Sequence, residues 1–253
     1  MISQNRWQAA QEYERSFWQN QARQIAAGAV GQMSWYSWKA KLMEEHLSAF
    51  LGPQMKDTAV VLEVGSGPVG IASFLRWGTR YAVDPLEDFY RSEEELCKLR
   101  DKAVTYSAGS GERLQFESNT FSLIVLDNVL DHVHQASEVL HEIGRVMRPE
   151  GLLYFAVNIH TAWGAFLHRI LSRLKIDRGH PYTFTARSIR AFLTAHGFAV
   201  QKEFINDYRK AKEQDLKSAA LKDKLKAYAG LSEFIYYAVC SKRTAPASPA
   251  AHP

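Results

Sequence analysis

The stretch Val60-Val61-Leu62-Glu63-Val64-Gly65-Ser66-Gly67-Pro68-Val69-Gly70-Ile71 decides the fold. The apolar, β-branched run from Ala59 to Val64 predicts a short buried strand. Gly65, Ser66 and Gly67 then predict a tight turn in which the backbone can approach a ligand closely. Pro68 suits the first turn of a following helix, where its missing N–H costs little. An apolar helical pattern runs on to Gly78. A second short run, Tyr81-Ala82-Val83, ends on Asp84, 21 residues after Glu63. A carboxylate at the end of that strand can accept hydrogen bonds from both hydroxyls of a ribose.

Outward from this unit the chain keeps alternating. A charged helix is expected across Ser92 to Lys102, and strands at Val104-Thr-Tyr and at Phe121 to Leu126. A helix follows across Gln135 to Met147, then a turn at Arg148-Pro-Glu-Gly151 and a strand from Leu152 to Val157. Strands alternating with helices at this spacing argue for βαβ units and a parallel sheet covered on both faces. Later come a helix from Thr185 to His196 and two strands, Phe198 to Ile205 and Glu233 to Cys240. One long polar helix, Asp207 to Tyr228, is expected between them. It is rich in Lys and Ala and reads as a solvated face.

Before the deciding stretch, residues 1–55 read as helical. Trp7, Ala10, Phe17, Trp18, Ala22 and Ile25 share one face of a first helix, and a second runs from Trp38 to Leu51 and stops at Gly52-Pro53. Trp35, Tyr36 and Trp38 fall at the end of the glycine-hinged loop between them. The expected organisation is an N-terminal helical cap over 1–57 and an α/β domain over 58–243, within which 159–184 and 206–232 are cap or insertion segments. The Ala/Pro-rich stretch 244–253 reads as a disordered tail.

Composition narrows the classes. The chain has 253 residues, 46% hydrophobic and 23% charged, which excludes wholesale disorder, a collagen repeat and a pure coiled coil. A net charge of +4 is mild for this length, and a dedicated nucleic-acid binder shows denser basic clusters. The two cysteines, Cys97 and Cys240, lie far apart and without metal-ligand neighbours, so neither a disulfide framework nor a zinc ribbon is expected. The N-terminus lacks the apolar region of a signal peptide, and no segment reads as a membrane span. The expectation is a soluble, cytoplasmic protein.

The spacing Gly65, Gly67, Gly70 also satisfies a dinucleotide pattern, so the ligand needs a discriminator. Glu63 stands two residues before the first glycine, and its carboxylate would point into the mouth of the site. A pyrophosphate is repelled there, whereas a sulfonium cofactor carrying an amino group is welcomed. That favours S-adenosylmethionine over a nicotinamide dinucleotide.

Leu62-Glu63-Val-Gly65-Ser-Gly67-Pro resembles the first motif of class I S-adenosylmethionine-dependent methyltransferases. The resemblance runs on for about 140 residues. It continues through Gly111-Glu112-Arg-Leu114, Phe121-Ser-Leu-Ile-Val, Asn128-Val-Leu130-Asp131-His132-Val133 and Arg145-Val-Met-Arg148-Pro149-Glu-Gly151. It then passes through His180-Pro181-Tyr-Thr-Phe184-Thr185 to Gly197-Phe198. It implies a three-layer, Rossmann-like, seven-stranded, mostly parallel sheet with one antiparallel strand. It also implies a cofactor set. Gly65, Ser66 and Gly67 would line the methionine part, with Glu63 acting through the amino group. Asp84 would hold the ribose and Pro85 flank the adenine. Ser110, Gly111 and Glu112 would stand at the adenine edge, and Asp127 and Asn128 beside the methyl donor. Many members carry Asp where Ser110 stands, and a hydroxyl accepts more weakly than a carboxylate.

Methyl transfer needs proximity, orientation and a polar environment, and a hydroxyl acceptor gains from a general base. His132, after the fourth strand, and His160, after the fifth, are the candidate bases, each with a plainer reading as a fixed core or helix-start histidine. His180 reads as a turn residue at an acceptor pocket that also draws on Asn158. Trp35, Tyr36 and Trp38 read as an acceptor lid or as cover for the sheet edge. The segment Asp127-Asn-Val-Leu lacks the Pro-Pro-Tyr of amino-methylating DNA enzymes, and neither cysteine follows a proline as the ring-carbon enzymes require. Val157-Asn158-Ile159 lacks the acidic pair of metal-dependent catechol enzymes. A methyltransferase for a small molecule, at oxygen before nitrogen or carbon, is therefore expected, with no DNA partner and no metal. The alternatives are a cofactor-binding scaffold without catalysis and an RNA methyltransferase.

Overall fold

The computed structural model describes residues 4–27, 34–173 and 182–243. Seven strands form one sheet: β1 (Val60–Val64), β2 (Thr79–Asp84), β3 (Val104–Ala108), β4 (Phe121–Asp127), β5 (Met147–Ile159), β6 (Phe198–Ile205) and β7 (Phe234–Lys242). Their order is β3-β2-β1-β4-β5-β7-β6. The pairs β1–β2, β1–β4, β2–β3 and β4–β5 are parallel, and β7 runs antiparallel to both β5 and β6. The order reverses between β1 and β4. That switch point opens a crevice at the carboxyl ends of the strands, where open α/β sheets bind ligands.

Both faces of the sheet are covered because its central strands are apolar on both sides. Val61 and Leu62 of β1, and Leu123 and Ile124 of β4, are all buried, and in each pair the two residues pack into different cores. One core gathers α6 (Ala136–Val146) and α8 (Ala186–Ala195). In α6 the buried Val139, Leu140, Ile143 and Val146 lie on one face at helical spacing. In α8 the Thr185 side chain and Ser188 cap each other's backbone N–H groups, which starts the helix. The opposite core gathers α1 (Gln4–Ala26), α2 (Ser34–Leu47) and α4 (Glu87–Ser92), through Trp18, Ala22, Met43, Leu47, Phe89 and Tyr90. The short helices α3 (Pro53–Asp57) and α5 (Glu94–Cys97) complete that layer's chain path, and α7 (Ala162–Arg173) follows β5.

Several local expectations are corrected. No α-helix follows the glycine turn, only a single 3₁₀ turn, Ile71–Phe74. The Arg80 guanidinium, 7% exposed, donates to the carbonyls of Ala72 (2.9 Å) and Leu75, taking acceptors that a longer helix would pair with its own amides. The helix expected across 92–102 is two short ones, α4 and α5, parted at the extended Glu93. The turn at 148–151 lies inside β5, where Phe121 pairs with Met147 but Leu123 with Leu152, an irregularity that absorbs the extra residues. The helix expected over 207–228 is broken into α9 (Tyr208–Lys217) and α10 (Leu221–Ala229). Ser218 parts them, its hydroxyl accepting the Ala220 N–H and donating to Asp223. Trp35, Tyr36 and Trp38 stand in the first turns of α2, not in a loop. The proposed tail, 244–253, and His180 lie outside the described residues.

Candidate cofactor and acceptor site

A cavity of about 590 Å³ opens at the switch point. That volume lies within the roughly 300–1,000 Å³ of small-molecule sites. Its floor is the turn after β1. Gly65 and Gly67 take left-handed φ angles of 71° and 60°, a region that side chains with a Cβ rarely adopt. A Cβ on Gly67 would stand 2.7 Å from the Tyr36 hydroxyl, and one on Gly65 would enter the methyl groups of Val129. The cradle therefore exists only with glycine at both places.

Asp84 ends β2 beside this turn. One carboxylate oxygen accepts the Gly67 N–H (2.8 Å) and the other the Leu86 N–H (2.9 Å). Burial raises its pKa from 3.8 to about 7, with Glu14 of α1 pushing the same way and the two N–H groups opposing. Glu63 is also pushed to about 7, chiefly by burial. Its two oxygens accept the N–H groups of Ile71 (2.9 Å) and Ala72 (2.8 Å). The sequence reading assigned Glu63 to an amino group of the cofactor; Glu63 borders the cavity and its oxygens also hold the start of the 3₁₀ turn.

The far wall comes from the segment after β4. Asp127 forms an ion pair with Lys39 of α2. Asn128 has a φ of 58°, held by its N–H to the Ala156 carbonyl (2.8 Å). Its side-chain oxygen is buried with no hydrogen-bond partner among the described residues, and so is the indole N–H of Trp18. Both residues line the cavity. Buried polar atoms left open at a cradle are what a polar ligand would complete. Ser110 and Glu112 border the cavity too, but Glu112 is engaged. Ser110 donates to one of its oxygens, and the other accepts the N–H groups of His134 (2.9 Å) and Gln135 (3.1 Å) just before α6. These contacts tie Glu112 to the turn that leads into α6.

All eleven residues expected at the cofactor, Glu63, Gly65, Ser66, Gly67, Asp84, Pro85, Ser110, Gly111, Glu112, Asp127 and Asn128, border this one cavity. Trp35, Tyr36, Trp38 and His132 border it as well. Tyr36 is buried and its hydroxyl donates to the Ser66 carbonyl (3.3 Å), so it is a wall of the cradle; Trp35 and Trp38 are half-exposed at its rim. His132 lies 3.8 Å from the buried Asp131 carboxylate. Asn158 and His160 do not reach the cavity. His160 is buried, stacks on His168 with ring centroids 4.8 Å apart, and lies 3.6 Å from Glu233.

Sequence reasoning expected the N-terminal helices as a cap but named no residue of α1 at the site. Trp7, Tyr13, Glu14, Phe17 and Trp18 close the cavity from above, and Lys39 pins α2 to its wall. The helical face of α1 was legible; what it covers was not, because nothing local says where a cap helix docks. Among the described residues no group of side chains can hold a metal ion, and no helix is long and apolar enough to cross a membrane.

Sheet order, glycine turn and the carboxylate that ends β2 define an α/β domain of the doubly wound kind with a cavity at its switch point. Comparison with known proteins narrows the class. Residues 62–155 match a family described as a methyltransferase domain. An uncharacterized methyltransferase of Schizosaccharomyces pombe is 30% identical over 118 residues, 42% of each chain. One of Mycolicibacterium vanbaalenii is 33% identical over 105 residues, 41% of this chain and 39% of that one. The chain thus spans about four-tenths of the length of these curated relatives. Among solved structures, a geranyl diphosphate methyltransferase bound to S-adenosylmethionine superposes with a TM-score of 0.60 at 14% identity, over 81% of this chain and 85% of that one. The cyclase SpnF superposes at 0.62 with 13% identity, over 94% and 96%. By its fold, and by sequence over 62–155, the chain is similar to class I S-adenosylmethionine-dependent methyltransferases.

Proposed function

We propose that this protein is an S-adenosylmethionine-dependent methyltransferase acting on a small, largely apolar molecule, at oxygen in preference to nitrogen or carbon. The observation that carries the reading is the cradle of Gly65 and Gly67 bonded to the Asp84 carboxylate, facing Asp127 and Asn128 across one cavity. The matched methyltransferase family and the cofactor named with the geranyl diphosphate enzyme support it. The domain over 58–243 carries the cofactor, and the cap over 1–57 closes it. A cytoplasmic setting fits this reading.

In this proposal Asp84 accepts from the ribose hydroxyls, Pro85, Ser110 and Gly111 border the adenine, and the open oxygen of Asn128 takes a donor at the methionine end. When bound, S-adenosylmethionine would supply an electrophilic methyl on a sulfonium, and would leave as the thioether S-adenosylhomocysteine once that methyl had passed to the acceptor oxygen. His132, 3.8 Å from the Asp131 carboxylate, would take the proton from the acceptor hydroxyl as the C–O bond forms. Tyr13, Phe17, Trp35 and Trp38 supply the apolar, water-excluding wall.

The test is incubation of the intact protein with methyl-labelled S-adenosylmethionine and a panel of hydroxyl-bearing apolar acceptors. The account expects labelled ethers or esters and one S-adenosylhomocysteine per methyl moved. Cofactor binding without turnover across the panel identifies a scaffold instead, and label in added RNA identifies the RNA enzyme.

A further inference from the structure

The apolar stripes of two helices face outward. In α7 Trp163, Phe166 and Ile170, at helical spacing, are 59%, 55% and 41% exposed, whereas Ala165 and His168 are buried. In α10 Leu221, Leu225 and Tyr228 repeat the pattern at 70%, 60% and 77%, and the small Ala227 is turned inward. A helix that buries its alanine and displays its leucines is inverted relative to an ordinary surface helix. The two stripes adjoin. The Trp163 indole donates to the Ala229 carbonyl (3.1 Å), and the ring lies over Gly230, which ends α10. Patches of this kind on a soluble chain mark an interaction surface.

The charge around the stripes says what kind. From 207 to 228 the chain carries Arg209, Lys210, Lys212, Lys217, Lys222, Lys224 and Lys226 against four acids. Most of the chain's net charge of +4 is concentrated on this segment. Three of those lysines alternate with the leucines and tyrosine of α10 itself. Aromatic and leucine side chains beside lysines are the composition of a helix lying in the interface of a bilayer, with anionic headgroups as the counter-charge. The position fits. α7 follows the carboxyl end of β5, and α9 and α10 follow that of β6, so the patch lies at the same end of the sheet as the cavity. Tyr13, Phe17, Trp35 and Trp38 at the cavity rim are also exposed. Among the described residues, the other large exposed apolar side chains are Ile205, at the carboxyl end of β6, and Leu99, between α5 and β3.

We infer that α7 and α10 form a docking face for an anionic membrane surface, which holds the cavity mouth against the lipid. The stripes immerse in the headgroup region and the lysines pair with lipid phosphates. The attachment is reversible, since neither helix is long and apolar enough to span. An acceptor dissolved in the bilayer would then reach the site without crossing water.

The test is flotation of the full chain with vesicles of phosphatidylcholine carrying about one-third phosphatidylglycerol, against phosphatidylcholine alone. The expected result is recovery with the anionic vesicles, loss of it at high salt, and a fall of about tenfold or more for Phe166→Ser/Leu225→Ser. Leu99→Ser, at an exposed apolar position away from both helices, should float as the parent does. No recovery with anionic vesicles, or recovery untouched by the double substitution, overturns the inference. So does a dimer in solution that the same substitutions dissociate, because the face would then be occupied by a second copy. Cofactor binding, measured on the same variants, is expected to be unchanged, so failure here leaves the methyltransferase reading to its own test.

Discussion

Asp84→Asn tests how the buried carboxylate governs binding. In the free protein Asp84 titrates at about 7, because burial disfavours its charge more than two N–H donors favour it. A ribose donates two hydroxyls to the ionised form. Hydrogen bonds to a charged group contribute about 1.5–3 kcal/mol each, neutral ones about 0.5–1.5. Removing the charge while keeping the shape therefore costs about 2–3 kcal/mol over the two bonds and weakens S-adenosylmethionine or S-adenosylhomocysteine by roughly 30- to 150-fold near pH 8. Below its pKa the native side chain is itself neutral, so native affinity should fall by about tenfold per pH unit under pH 7 and the two proteins converge at about pH 5. Titration calorimetry across that range reads both effects. Glu63→Gln is the control: Glu63 also titrates at about 7 but bonds to backbone, so its variant should keep the pH dependence. A native affinity flat from about pH 5.5 to about pH 8, or an Asp84→Asn variant that binds as tightly as the parent at pH 8, would refute the reasoning.

Other outcomes follow from the same contacts. Both carboxylates have raised folded pKa values, so their contribution to stability is full below about pH 4 and is lost as pH rises through 7. Thermal unfolding should show a melting temperature that declines from pH 5 toward pH 8, with an upper bound of about 4 kcal/mol from Asp84; a rise over that window contradicts the burial account. Gly67→Val drives a Cβ into the Tyr36 hydroxyl at a left-handed φ and should abolish cofactor binding while the circular dichroism stays native. Arg100 grips the fully buried Glu87 with two nitrogens, at 2.9 and 2.7 Å, so Arg100→Met should cost about 3 kcal/mol or more in denaturant unfolding, most of it recovered when Glu87→Gln is added. His132→Ala should lower kcat by about a hundredfold or more with cofactor affinity unchanged if the acceptor is a hydroxyl; an unchanged kcat removes it as the base.

The sheet was legible because its strands read as short apolar runs, four of which, β1 to β4, also end in aspartate or just before glycine. All seven were found, and the eleven residues expected at the cofactor meet at one cavity. The helices between were less legible, for reasons that lie outside their own sequence. Apolar spacing after Gly70 asks for a helix, but Arg80, on the next strand, takes its carbonyls. Ser218 is ordinary in a polar helix until its hydroxyl finds Asp223. Glu63 and Glu112 show the same limit at the site. A carboxylate beside a glycine turn reads as a ligand group alone, and spacing does not show that Glu63 and Glu112, like Asp84, also accept backbone N–H groups. His160 and Asn158 follow the expected strand but sit on the β7 side of it, a distinction that strand order makes and spacing does not.

The most direct test of the account is a crystal structure of the full chain grown with S-adenosylhomocysteine. The account predicts the nucleoside in the cavity above Gly65 and Gly67, with both ribose hydroxyls on the Asp84 carboxylate and a donor of the amino-acid end on the Asn128 oxygen. Density for the molecule elsewhere, or an empty cavity at saturating ligand, would contradict it.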